Sequence, residues 1–287
     1  MNSEFVRFKA TDDTELVGWL SDPGGDTAVI HIHGMSGNGY ENNFLDTLRQ
    51  YYFDNGIAFF SIDTRGRGII SDFRRRNDWL RGGSCFEVFK DSIYDIEGAI
   101  RHLQSYLLQK KRIILEGHSL GCTKVVNFWL TKEADEVTEI ILIAPTDMAG
   151  WAKVDPEHQT YLQTAKQLLS EGNTQALVSA QAWINKTPIS AQTYPTICEE
   201  GSSADMYGER EDGALLGRVS VPMLIVYGTE DIGIVEIDGT VEKWEARVNN
   251  IKHPHTQVSI VTGANHGFID YENELVASID SFLTIGS

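Results

Sequence analysis

The sequence predicts an α/β fold, a mostly parallel eight-stranded sheet with helices on both faces. Three observations predict it. Short apolar runs of strand length alternate along the chain with stretches whose apolar residues recur every three or four positions. Several of those runs are apolar throughout, as strands covered on both faces are. Glycine-rich turns follow four of them directly. With 287 residues and 41% hydrophobic content, one sizeable core and one domain spanning 1–287 are expected.

Glu4 to Lys9 and Glu15 to Leu20 read as strands joined across Asp12-Asp13, an opening antiparallel hairpin. Pro23-Gly24-Gly25-Asp26 turns the chain into the buried strand Thr27 to Ile32. A helix follows with Phe44, Leu45, Leu48 and Tyr52 on one face, then the strand Ile57 to Ile62. Ile93, Ile96, Ile100, Leu103 and Leu107 are spaced three and four apart, the signature of an amphipathic helix. Arg112 to Glu116 is the next strand, and Val125, Val126, Phe128, Trp129 and Leu130 mark the helix after it. Strands at Glu139 to Ala144, Val221 to Tyr227 and Gln257 to Val261 follow, with a last helix through Leu275, Ile279 and Phe282. Between the sixth and seventh strands, residues 146–217 break the rhythm. That segment is rich in Gln, Ser, Thr and Glu, and Leu162, Ala165, Leu168 and Leu169 place a helix in it. A structureless linker of such length is rare in a compact domain, so a mainly helical insertion is expected.

Composition narrows the function. A net charge of −17 opposes binding to nucleic acid or to an anionic membrane. The start, Met1-Asn2-Ser3-Glu4-Phe5-Val6-Arg7, has no apolar stretch of the signal-peptide kind, and no run reaches transmembrane length. Three cysteines, Cys85, Cys122 and Cys198, are too few and odd in number for a disulfide framework. A cytoplasmic protein acting on a small molecule is expected.

Chemistry concentrates at four predicted strand ends, where parallel sheets gather functional residues. They are His33-Gly34-Met35-Ser36-Gly37, Gly117-His118-Ser119-Leu120-Gly121, Gly228-Thr229-Glu230-Asp231 and Gly263-Ala264-Asn265-His266-Gly267. A serine forced into a tight strand-to-helix turn projects its hydroxyl past the sheet edge. Serine needs a base to become a nucleophile, and histidine suits that task. The imidazolium formed needs a carboxylate, and the tetrahedral oxyanion needs two donors. No cofactor or metal is called for. His31 lies in the apolar strand while His33 leads into the loop after it, so the two are not read as a metal-binding pair, and His253-Pro254-His255 reads as a solvated loop.

With these motifs the chain resembles the α/β-hydrolase superfamily, over nearly its whole length. The resemblance implies Ser119 as nucleophile, His266 as base and Asp231 as acid. Asp231 competes with Glu230, and the family's acid usually takes the place of Asp231. It also implies Met35 and Leu120 as oxyanion donors through their main-chain amides. Asp63-Thr64-Arg65-Gly66-Arg67-Gly68 looks like the family's turn after its fourth strand. His118 is expected to pack without doing chemistry.

A serine at this turn speaks against the dehalogenases and epoxide hydrolases of that family, which use aspartate. Carboxylic ester hydrolysis through an acyl-enzyme is the expectation. Thioesterase, feruloyl-type esterase, peptidase and an inert ligand-binding protein on the same fold are the alternatives. His-Gly-Met-Ser-Gly departs from the His-Gly-Gly-Gly run of hormone-sensitive-lipase-like esterases. The family places its cap where 146–217 lies, and Trp151 and Trp183 there either roof a bulky substrate pocket or fill the cap's own core. In length, loop type and cap position the chain is similar to the bacterial serine-dependent macrolide esterases, which would imply a bulky ester or macrocyclic lactone. Arg74-Arg75-Arg76 either forms a solvated surface run or lines the mouth of the site.

Overall fold

In the computed structural model, residues 3–106, 111–182 and 186–285 are described. Eight strands among them form one sheet in the order β1-β2-β4-β3-β7-β8-β11-β12. These are β1 (Glu4–Lys9), β2 (Glu15–Ser21), β3 (Thr27–Ile32), β4 (Ile57–Ile62), β7 (Arg112–His118), β8 (Val137–Ile143), β11 (Met223–Gly228) and β12 (Thr256–Val261). β1 and β2 run antiparallel, β2 meets β4 antiparallel, and every other neighbouring pair is parallel. The fully apolar runs are thus the central parallel strands, and the two-stranded start forms one antiparallel edge.

Side chains alternate across each strand, so two cores form, one on each face. Ile113, Leu115, Ile140, Leu142, Met223 and Ile225 join helices α2 (Ser92–Tyr106), α3 (Leu120–Lys132) and α8 (Val241–Ile251). Ile114, Ile141, Ile143, Leu224 and Val226 face the other way, toward α1 (Phe44–Asp54) and α9 (Glu272–Ile285). The period-3.6 pattern sets which helix face is buried: Ile96, Ile100 and Leu103 of α2 are in contact with the sheet and at most 1% exposed. Each such side chain stabilises the fold by about 1.5–3 kcal/mol relative to exposure. Leu107 lies outside the described residues.

A second hairpin, β5 (Ser71–Arg75) and β6 (Asp78–Gly82), follows β4 and reaches back to the sheet edge through a bridge from Thr14 to Arg75. Sequence periodicity did not separate these charged strands from the loop. Between β8 and β11 the chain forms α4 (Met148–Val154), α5 (His158–Ser170), the hairpin β9 (Leu177–Ala182) and β10 (Thr187–Ser190), and α6 (Tyr194–Cys198). A short helix, α7 (Ile232–Ile237), follows β11. The inserted elements share a small apolar cluster in which Leu162, Ala182, Ile189, Tyr194 and Ile197 pack onto Leu120 and Phe89, with Met35 at its margin. The insertion therefore sits over the carboxyl ends of β3 and β7. Among the described residues no helix is long and apolar enough to cross a membrane.

Candidate active site

Ser119 stands alone between β7 and α3 with φ 55° and ψ −124°, a conformation costly for a residue with a side chain. Its neighbours hold it there. A Cβ on Gly121 would lie 2.1 Å from the Ile32 carbonyl oxygen, and one on Gly117 would lie 2.6 Å from the Cys122 amide nitrogen. Only glycine fits at either position, so the turn is crowded by design of its packing. The Ser119 amide donates to the Ile143 carbonyl over 3.0 Å, tying the turn to the end of β8. The Cys122 thiol fills the space beneath, against the carbonyls of Gly117 and Ile143, and burial pushes its pKa well above the usual range. It is a packing group.

The loops after β11 and β12 are zipped together. Glu230 N–H donates to the Ala264 carbonyl (2.9 Å) and Gly263 N–H to Thr229 Oγ1 (2.8 Å). A Cβ on Gly228 would come within 2.1 Å of the Ala264 oxygen, so this close approach also requires glycine. The zip brings Asp231 Oδ2 to 2.8 Å from His266 Nδ1. Asp231 is 1% exposed and its Oδ1 accepts the Gly233 amide as N-cap of α7. Both carboxylate oxygens are thereby committed. Glu230, the neighbouring carboxylate, is exposed. The side chain of His266 remains 37% exposed.

His118 packs between Phe44 and His266, with ring centroids 5.1 and 4.9 Å away. Its Nε2–H donates to the His266 carbonyl (2.9 Å), and burial depresses its pKa well below the ordinary value, so the ring is neutral. It braces His266 from below.

The loop after β3 lies against the serine: a Cβ on Gly34 would be 2.8 Å from Ser119 Cβ. His33 shapes this loop. Its Nδ1–H donates to the Gly34 carbonyl (2.7 Å), while Nε2 accepts from the Thr64 amide and hydroxyl, both at 3.0 Å. Burial first, and the nearby Lys124 charge second, lower its pKa to about 3, which keeps it in this neutral tautomer. Gly37 N–H also reaches the Gly34 oxygen (3.2 Å). Because a trans peptide is planar, fixing that carbonyl fixes the Met35 N–H on the opposite side. Among the described residues neither the Met35 nor the Leu120 amide has an acceptor.

Ser119 Oγ does not bond to His266 in this structure. Its partner is Thr146 Oγ1 at 2.9 Å, just beyond β8. Thr146 carried no sequence signal beyond its place after a strand. Trp151 donates its indole N–H to Glu236 and lines a cavity of about 540 Å³ with Val154, Tyr161 and Gln181. It belongs to the margin of the inserted cluster as well, so it both packs and faces open space. Trp183 lies outside the described residues. Arg74, Arg75 and Arg76 sit on the β5–β6 hairpin, where Arg75 bridges to Thr14 just before β2. Among the described residues no group of three or more His, Cys, Asp or Glu side chains is placed to hold a metal ion. His31 instead bonds to Glu116 (2.7 Å) in the core.

This sheet order, with the strained serine after β7, is that of the α/β-hydrolase fold. Solved structures with the same fold include an esterase from Pyrococcus furiosus, with 17% identity over 99% of this chain and 91% of that one and a TM-score of 0.63. Est1E from Butyrivibrio proteoclasticus, solved with ferulic acid bound, is similar at 17% identity over 96% and 97%, with a TM-score of 0.65. An α/β hydrolase, GrgF from Penicillium sp. sh18, has 17% identity over 98% of both chains and a TM-score of 0.67. The chain belongs to the DUF1749 family, a protein family of unknown function, whose model matches residues 87–284. No curated protein matches the sequence.

Proposed function

We propose that this protein is a serine hydrolase that cleaves a carboxylic ester. The observation that carries this reading is the Asp231–His266 hydrogen bond at the same sheet edge as the strained Ser119. Asp231 holds the imidazole with its proton on Nδ1, leaving Nε2 free to take the Ser119 proton. Serine rotates from Thr146 toward His266 when substrate enters, as such bonds commonly tighten only in the substrate complex. Oγ then adds to the ester carbonyl, and the oxyanion receives the N–H groups of Met35 and Leu120. Collapse breaks the bond to the alcohol, which leaves with the proton from His266. Water, deprotonated by the same imidazole, releases the acid and restores the serine.

The segment 146–217 acts as a cap, and the Trp151–Tyr161 cavity receives a bulky group of the substrate. A feruloyl-type aromatic ester suits those two rings, and the ferulic acid bound by Est1E supports that choice. A macrocyclic lactone is the larger alternative. An inert ligand-binding protein is the second reading, favoured by the Ser119–Thr146 pairing.

Fluorophosphonate labelling together with ester turnover separates the two. Wild type is expected to be labelled at Ser119 and to hydrolyse p-nitrophenyl esters, with turnover lost by about 10³-fold or more in Ser119→Ala. An unlabelled serine and no activity on any ester sinks the enzyme reading. Mass spectrometry of feruloyl esters, thioesters, anilides and macrocyclic lactones, scored for the gain of one water, then assigns the substrate.

A further inference from the structure

The chain has a net charge of −17, yet in one groove the basic side chains outnumber the acidic ones. It lies between the exposed face of β1–β2 and the β5–β6 hairpin and encloses about 490 Å³. Arg7, Lys9, Arg67 and Arg74 line it against two carboxylates, Glu15 and Asp72. Neighbouring arginines are neutralised: Arg75 by Asp12 (3.9 Å), Arg76 by Asp13, and Arg81 by Asp72 (3.3 Å), while Arg67 is held by Asp63 (2.8 Å). Arg7, Lys9 and Arg74 form no ion pair with any described residue. Two residues apart on β1, Arg7 and Lys9 point to the same face of the sheet.

The groove also has a flat wall. Trp79, paired across the hairpin with Arg74, is 63% exposed, and the Arg74 guanidinium stands 5.8 Å from its ring centre. An exposed tryptophan beside the Arg74 guanidinium offers a flat apolar face next to a positive charge, which suits a ring that carries negative charge. The volume fits one small molecule.

We propose that this groove binds a small organic anion in which a phosphate or carboxylate group is attached to a flat ring. The acidic head lies among Arg7, Lys9 and Arg74, and the ring stacks on Trp79. This site is separate from the Ser119 site and does not depend on the hydrolase reading.

Isothermal titration at low ionic strength tests it, with phenyl phosphate and phthalate as probes and inorganic phosphate and benzyl alcohol as their separate halves. Saturable one-to-one binding is expected for phenyl phosphate, phthalate or both, with each half binding more weakly. Which probe binds identifies the head group. Affinity is expected to fall about tenfold or more in Arg7→Gln/Arg74→Gln, and severalfold in Trp79→Ala. It is expected to weaken as salt is added and to be unchanged in Ser119→Ala. These surface substitutions leave the thermal midpoint near that of wild type, which separates lost binding from lost fold. The proposal is overturned if neither ring-bearing anion saturates the wild type, if the double variant binds as well, or if Ser119→Ala abolishes binding.

Discussion

At the scale of single residues, the site is built by glycines as much as by its reactive groups. Gly121 admits the Ile32 carbonyl at a place where a Cβ would be only 2.1 Å from its oxygen. Both partners are backbone, so neither can turn away. Gly121→Ala is therefore expected to cost about 3 kcal/mol of stability, as overpacking of a rigid core does. Its effect is read as a lower denaturant midpoint with an unchanged slope. If the variant instead unfolds at the wild-type midpoint, the turn is less crowded than its geometry implies. A glycine two positions after a serine was visible in the sequence. That Ile32 of β3 is what it must avoid was not, because the two are separated by almost ninety positions and meet only through sheet pairing.

At the scale of elements, the helix α7 and the loop after β12 act together through Asp231. One oxygen caps the helix by accepting the Gly233 amide, and the other holds His266. Asp231→Asn can keep one acceptor for the cap but presents an amide donor to His266 in the wrong sense. The expected outcome is a fall in kcat of about 10³–10⁴-fold with stability changed by less than about 1 kcal/mol. Steady-state kinetics beside chemical denaturation checks both halves. A variant that loses stability and activity in parallel would mean that the carboxylate serves the fold alone. The hairpin β5–β6 belongs to this scale too. Phe73 is buried and points inward, while Arg74 and Trp79 are exposed and point out, an alternation masked in the sequence by the run of charges.

At the scale of the whole molecule, burial makes the fold sensitive to acid. His33 is held neutral down to about 3, mainly by burial, while in the unfolded chain it titrates near 6.5. Above 6.5 neither state binds the proton, and this contribution to stability is fully present. As pH falls from there toward 3, the unfolded chain takes up a proton that the folded chain refuses. Stability therefore falls on acidification, by about 1.4 kcal/mol per pH unit from this side chain. His118, depressed by burial in the same way, adds to the slope. Denaturation midpoints measured across this range are expected to fall less steeply in His33→Asn than in wild type. Equal slopes would show that His33 titrates in the folded protein as it does in the unfolded chain.

What the sequence by itself determined was the alternation of strands and helices, and with it the sheet and its two cores. That information is local: a period of two or 3.6 in apolar residues depends only on near neighbours in the chain. It also placed Ser119, Asp231 and His266 after three separate strands. Only the tertiary structure decided which groups meet. It gave Asp231 to His266, set Thr146 beside Ser119, and joined Trp151 to Glu236 across the insertion. It also gathered Arg7 and Arg74 around one groove. These pairings follow from strand order and loop path, which bring together residues 27 to 85 positions apart, and no local periodicity records them.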